Sequence, residues 1–273
     1  MTTTMESQSN PPVCVFSSHY SISFSKSILT LEKPEEIKQN SPVSICSIAK
    51  THNLDKLFLI DSSFSGFQEA YRNLTEIGTQ LIFGIKVHIC DDVLDKSEKG
   101  CINDSKIYLI AKNKIGYKEL IKVYSEAATN GFYYYPRLDW SQLNKISENI
   151  DVWVSFYDGF IFNNLLSHGV SIIPKLDKVK PKFCIESHGL PFDDLVENGI
   201  NKYCKETGFE TIRTHQTSYY RNSDAKNFQV YKCIGKRSTL NKPNLSHFCS
   251  DKFSYEAWDK HNPFFDYSKN SVV

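Results

Sequence analysis

The sequence predicts an α/β protein closed into a barrel. Short apolar runs of period two alternate with stretches of helical period along most of the chain. The connections between them are short, which favours a mostly parallel sheet. Roughly six or seven strand–helix units in about 250 residues suit one closed barrel better than two small domains.

The elements follow in order. Residues 1–12, MTTTMESQSNPP, are expected to be a disordered polar tail, without the basic start and apolar stretch of a secretory leader. The barrel domain is expected over 13–260, followed by a C-terminal tail over 261–273, either a docking peptide or a loosely packed end. Ser41-Pro42 opens a helix that ends near Asn53. KLFLID (56–61) is a strand. Ser65 and Gln68 have capping-box spacing, and Phe67, Ala70, Tyr71, Leu74 and Ile77 share a helical face that Gly78 stops. LIFGIKVHI (81–89) is the next strand, and a polar loop separates it from IYLIA (107–111). Tyr117, Leu120, Ile121 and Tyr124 mark a helix ended by Gly131. DVWVSF (151–156) and KFCIES (182–187) read as strands. A helix between Pro191 and Gly208 turns Leu195, Val196, Ile200 and Tyr203 inward. ETIRT (210–214) is a strand, and the last helix carries Phe228, Tyr231 and Ile234.

Composition narrows the function classes. Forty per cent of residues are hydrophobic, enough for a packed core, so global disorder is excluded. The net charge of +1 argues against a strong phosphate-driven grip on nucleic acid. Eight cysteines are scattered without a C-x-x-C pair, as buried thiols in a reducing compartment are. No apolar run approaches the ~18 residues of a membrane span, so a cytoplasmic protein without membrane contact is expected.

In barrels of this kind chemistry gathers at the C-terminal ends of the strands. Here that means the surroundings of Asp61, Lys86, Lys106, Phe156 to Asp158, Glu186 to His188 and Thr214 to Ser218. Lys86 is the odd residue. In FGIKVHI, residues Ile85, Val87 and Ile89 point one way, Lys86 and His88 the other. A lysine inside an apolar strand implies a face that meets water, or a position where another residue type once stood.

Longer motifs explain it. AKNKIGYKELIKVYSEAATNGFYYYPRLD (111–139) carries A-K-N-x-x-G-Y, a helix, and G-F-Y-x-x-P-R-[IL]-D. DSSFSGFQEAY, the 18-residue step from Gly66 to Gly84, the set Glu186, His188, Gly189, Leu190 and Pro191, and DAKNFQVYKCIGKRSTLNKPN (224–244) follow in order. Together, from about residue 14 to 260, they resemble the N-terminal polymerase-and-histidinol-phosphatase (PHP) domain of the bacterial DNA polymerase III alpha subunit. The resemblance implies a distorted (β/α)7 barrel, TIM-barrel-like, and ends where the polymerase palm would begin. It also implies, in active members, two or three divalent metal ions at the strand ends, bound by His, Asp and Glu.

On this chain most of those ligand positions carry other residues. H-x-H-S-x-Y-S falls on VFSSHYS, with Val15 and Ser17 in place of the histidines and His19 two residues on. Asp61 is kept, but Ser62 replaces the next histidine. Lys86 stands for a strand glutamate, Lys106 for a histidine and Tyr157 for a cysteine or histidine. In HQTSY, Gln216 replaces an aspartate and Ser218 a histidine; His188 matches a family histidine. No catalytic residue, metal or other cofactor is therefore expected. Asp61 is expected either to pair with Lys86 or Lys106, or to leave both lysines to reach the pocket mouth. His19, His88, His188 and His215 are weighed as a rebuilt metal site, and His215 as a ligand contact. The aromatic run Phe132 to Tyr135 invites base stacking, but its place in the family motif favours a loop role.

Three functions compete. One is a non-catalytic binding or scaffold module linked to DNA replication, with a replicative polymerase or a proofreading exonuclease as partner. Another is a metal-dependent phosphoesterase or 3′–5′ exonuclease. The third is a weak single-strand DNA binder holding phosphate with Lys86, Lys106 and Arg213.

Overall fold

Strand-length apolar runs and helical stripes alternate in the structure as in the sequence. The computed structural model describes residues 11–21, 27–38, 41–97, 105–166, 172–176, 178–236, 238–241 and 248–260. The terminal segments 1–10 and 261–273, with 242–244 of the last family motif, lie outside them. The strands are β1 (Val13–Phe16), β2 (Lys56–Asp61), β3 (Gln80–Cys90), β4 (Ser105–Ala111), β5 (Arg137–Asp139), β6 (Ile150–Val154), β7 (Lys182–Ile185) and β8 (Glu210–Thr217). The helices are α1 (Ile45–Thr51), α2 (Phe67–Glu76), α3 (Lys114–Thr129), α4 (Trp140–Leu143), α5 (Phe160–Leu166), α6 (Asp193–Thr207), α7 (Ala225–Lys236) and α8 (Tyr255–Lys260).

Seven strands close a barrel in the order β1-β8-β7-β6-β4-β3-β2 and back to β1, while β5 extends β3 on the outside. All neighbours are parallel except β4, which runs antiparallel to both β3 and β6. This reversed strand is the distortion in the (β/α)7 barrel. Direction cannot be read from an apolar run, and IYLIA is equally apolar either way.

Register fixes which side chains enter the lumen. Phe58 on β2 and Trp153 on β6 meet with ring centroids 5.8 Å apart although their strands are not neighbours, so both point inward. Tyr108 lies opposite Trp153, and Lys86 opposite Tyr108, which carries both lysine and tyrosine to the same side. Lys106, two residues before Tyr108, joins them. On the other side of these strands Ile85, Val87, Ile89 and Leu109 pack with Leu74, Leu120, Val196 and Ile200 of the helices in one continuous core.

Several expected helix details are corrected. α1 begins after Ser44, whose side chain caps Cys46 N–H, so Ser41 and Pro42 lie in the approach. α2 has Gly66 at its N-cap, and Ser65 N–H bonds the Ser63 hydroxyl instead of a capping box forming. Tyr71, Ile121, Leu195 and Ile234 are exposed. The helices rest on a round sheet, so each buries a stripe narrower than its apolar face, and residues at the stripe edge reach solvent. Gly208 ends α6 in the left-handed region (φ 76°), as its position predicts.

Candidate functional site at the barrel mouth

The C-terminal strand ends carry two polar clusters. On the β3–β4 side, the Lys86 ammonium lies 5.3 Å from the centre of the Tyr108 ring. The Lys106 ammonium bonds Asp158 Oδ2 at 3.0 Å. Asp158 arrives on the turn after β6. It takes a left-handed backbone (φ 65°), and a Cβ on the next residue, Gly159, would collide with the Ser155 carbonyl. Lys106 N–H bonds the Asp158 carbonyl (2.9 Å), so backbone and side chain both hold this turn to β4. Burial alone would raise the Asp158 carboxyl, but Lys106, Lys86 and Lys232 outweigh it and hold it at about 2. Burial and the neighbouring Lys106 lower Lys86 to about 8, against the pull of Asp158 and Glu186.

On the β7–β8 side, Glu186 and His188 are buried just past the end of β7. His188 Nε2 meets Glu186 Oε2 at 3.0 Å, and Nδ1 meets the Lys252 carbonyl at 3.0 Å. A protein oxygen lies at hydrogen-bond distance from each ring nitrogen, so neither nitrogen is turned toward open space. The Thr214 hydroxyl donates to Glu186 Oε1 (3.0 Å). Asp193 Oδ2 accepts the backbone N–H groups of His188 and Leu190, each at 2.9 Å, and Oδ1 accepts the Tyr157 hydroxyl at 2.9 Å. Phe253 stacks on the His188 ring at 3.9 Å.

Of the remaining sequence candidates, His215 alone lies beside this cluster. Val15 and Gln216 are register partners whose side chains are buried in the lumen wall. The Ser17 hydroxyl donates to the Ile60 carbonyl, and Ser62 shares a hydrogen bond with Ser21 (3.1 Å). Asp61 pairs with neither lysine. Its Oδ1 accepts Ser18 N–H (2.7 Å) and its Oδ2 the Ser18 hydroxyl (2.6 Å), because register sets Asp61 beside Ile85 instead of Lys86. Burial raises its carboxyl to about 6 although the Ser18 hydrogen bonds oppose this.

Ser218 is buried, and its backbone N–H bonds the Phe253 carbonyl. His215 is buried with its ring 4.6 Å from that of His188, and its Nε2 lies 3.0 Å from the Ser254 carbonyl. His19 is exposed, and His88 stacks on Tyr135 at 3.8 Å, so neither approaches His188 in the way a shared metal would need. Among the described residues no three His, Cys, Asp or Glu side chains are placed to hold a metal ion.

Arg213 also leaves the lumen: it faces outward to pair with Glu197 of α6 at 3.0 Å. The aromatic run serves the loop in part. Tyr135 covers His88 and Tyr133 lies 5.4 Å from Arg137, while Phe132 and Tyr134 face solvent. Arg137, of the P-R-L-D motif, is fully buried and donates to the carbonyls of Gly131, Val93 and Asp95.

Sequence reasoning marked the stretch around Asp158 but gave the residue no role. It missed Asp193, for which the paired Asp-Asp at the start of α6 was a usable signal. It also missed Lys232, a lysine on an amphipathic helix with no local signature.

This is a barrel with a polar mouth at the C-terminal ends of its parallel strands, and the family can be stated. The PHP domain family matches residues 39–185, more than half of the 273, and the chain belongs to that family. It is similar to DNA polymerase III subunit alpha of Borreliella burgdorferi, 26% identical over 217 residues, covering 72% of this chain and 18% of that protein. The protein of the same description from Thermus aquaticus is 25% identical over 198 residues (69% and 16%). That from Helicobacter pylori is 27% identical over 200 residues (67% and 16%). The chain thus spans less than a fifth of the length of these relatives. No helix among the described residues is long and apolar enough to cross a membrane.

Proposed function

We propose that the chain is a non-catalytic PHP barrel of the DNA polymerase III alpha type, acting as a binding or scaffold module in DNA replication. One observation carries this reading: two ligand positions implied by the resemblance hold Lys86 and Lys106, and Lys106 is ion-paired to Asp158. An ammonium has no lone pair for a metal and repels it, by an amount that grows as the surroundings dry. Val15 has no donor atom, and Ser17 and Ser62 are hydrogen-bonded to protein oxygens. The two or three divalent ions implied by the resemblance do not fit this donor set, and no reaction step is assigned to them. The partner in this reading is a replicative polymerase or a proofreading exonuclease, met in the cytoplasm.

Metal content of freshly purified, untagged protein, by mass spectrometry against protein concentration, tests it. The expected result is less than about a tenth of an ion per folded chain. Two or three transition-metal ions per chain, with phosphoesterase or 3′–5′ exonuclease activity lost in chelator, would overturn it in favour of a metal-dependent hydrolase.

A further inference from the structure

We propose that the seam between α2 and α3, on the outer wall of the barrel, docks an acidic amphipathic helix of a partner protein. The inference rests on the reading of the chain as a binding module and gives that reading a surface away from the mouth.

α2 lies over β3 and α3 over β4. A chain of rings bridges the two helices. Phe67 of α2 stacks on Tyr117 of α3 at 4.4 Å, and on Tyr71, one turn further along α2, at 5.8 Å. Phe64, just before α2, meets Tyr117 at 5.9 Å and Tyr124 at 5.4 Å. Phe83 of β3 forms the floor, 4.9 Å from Phe67 and 5.5 Å from Phe64. Bulky rings in such a seam hold the helices apart and leave a groove between them. Its rim keeps apolar surface in water: Tyr71 is 57% exposed, and Ile121, one turn from Tyr117, is 41% exposed. Apolar surface that is continuous across neighbouring elements, unlike scattered single residues, marks a contact site.

Charge chooses the occupant. Lys114, Lys118 and Lys122 recur every four residues and form an exposed row along α3. Lys114 is three residues from Tyr117 and Lys118 three from Ile121, so the row borders the apolar strip. Among the described residues none of the three forms an ion pair. The carboxylates of the two helices are engaged elsewhere. Glu69 accepts the Tyr20 hydroxyl (2.9 Å), Glu76 pairs with Lys33 (2.6 Å), Glu119 accepts Ser147 N–H (2.8 Å) and Glu126 accepts the Asn130 side chain (2.7 Å).

A partner that covers this face brings apolar side chains to the rings and carboxylates to the lysines. An amphipathic helix does both, with apolar residues at i, i+3, i+4 and i+7 and acids along one flank. A groove between two helices is also the shape that a third helix fills. Nucleic acid would answer the lysines, but Phe67 and Tyr117 already stack on each other and Ile121 offers a base no flat face.

Fluorescence anisotropy of labelled peptides titrated with the full chain tests this. The probe is a designed helical peptide of about 20 residues, with leucine on one face and glutamate beside it. One control carries lysine at every glutamate position; an oligothymidylate is the other. The acidic peptide is expected to bind at least about tenfold more tightly than the lysine peptide, by a margin that shrinks as salt is added. Tyr71→Ala and Ile121→Ala should each weaken it about tenfold while melting as the parent does, since both side chains are largely exposed. Lys114→Glu combined with Lys118→Glu should reverse the preference between the two peptides, which a merely adhesive surface would not do. No binding of the acidic peptide at millimolar concentration would overturn the inference. So would equal binding of both peptides, Tyr71→Ala binding as the parent does, or tighter binding of the oligothymidylate. A dimer in sedimentation that Tyr71→Ala abolishes would overturn it too, by assigning the face to a second copy of the chain. Metal analysis of the same sample keeps two failures apart. A metal-loaded protein sinks the non-catalytic part of the reading beneath; a metal-free protein that does not bind the acidic peptide sinks this inference alone.

Discussion

On the β7–β8 side of the mouth, Glu186, His188, Thr214 and Asp193 are bonded to one another and to backbone. On the β3–β4 side, Lys106 is ion-paired to Asp158, a carboxylate carried in by a loop, and Lys86 lies over the Tyr108 ring. Both halves keep polar groups out of water, but the first does so with directional bonds. The second relies on charge. A bonded network resists change and exchanges partners poorly, whereas an ion pair made with a loop carboxylate can trade that carboxylate for another anion. The difference suggests that structure resides in the first half and recognition in the second.

Breaking the bonded half should have the largest effect. Glu186→Ala strips His188 Nε2 and the Thr214 hydroxyl of their acceptor in a site that water does not reach. Removing one partner of such a buried pair costs about 3 to 5 kcal/mol. Urea unfolding should show a midpoint lowered accordingly with an unchanged slope. A loss below about 1 kcal/mol would mean that water or a rearranged Lys252 segment replaces the acceptor, and the proposed contrast between the halves would fail.

Lys86 sharpens the comparison from the charged side. Its folded value of about 8 lies below the ordinary 10.5. At pH 7 it is charged in both folded and unfolded chains, and folding bears the whole penalty. Between about pH 8 and 10.5 the unfolded chain holds a proton that the folded chain has released, so stability rises with pH across this window. Lys86→Met fills the same space without the charge. It should stabilise the protein at pH 7 by about 1 to 3 kcal/mol, the upper end being the shift converted at 1.36 kcal/mol per unit. The gap between variant and parent should shrink toward pH 10. Denaturant midpoints of both proteins at pH 7, 8.5 and 10 measure it. A gap that does not move with pH would place the Lys86 ammonium in contact with water.

Much of this architecture was legible because it follows from period and from motif. KLFLID and the long strand around Lys86 stand where alternation sets them, and the resemblance supplied the barrel. It also marked Lys86 and Lys106 as residues of the wrong chemical type for a metal site. What could not be read was pairing. The sequence leaves open whether Asp61 pairs with Lys86 or Lys106 or both lysines reach the pocket mouth, and a register that sets Asp61 beside Ile85 sends it to Ser18. Asp158 wins the lysine because a left-handed turn, made possible by Gly159, folds it back over β4. Lys232 reaches the cluster from a helix more than 120 residues after Lys106, and nothing local in its sequence reports that approach. His188 was recognised as a family position, but the two acceptors that occupy its nitrogens come from Glu186 and from Lys252, far along the chain.

The smallest effect tests whether the strained turn at Asp158 is tied to its charge. Tyr134 adopts nearly the same left-handed backbone, φ 60° against 65°. Its ring is mostly exposed and touches Tyr133 edge-on at 4.7 Å, so little packing holds the residue there. A left-handed conformation costs a residue with a Cβ roughly 1 kcal/mol that glycine escapes, while glycine adds freedom to the unfolded chain worth somewhat less. Tyr134→Gly should therefore leave stability unchanged or raise it by about 0.5 kcal/mol. Asp158→Gly relieves the same backbone yet deprives Lys106 of its partner, so it should destabilise. Urea midpoints of the two variants side by side decide it. If both glycines stabilise, the Asp158–Lys106 pair contributes nothing that offsets the strain, and the turn has no need of the lysines it faces.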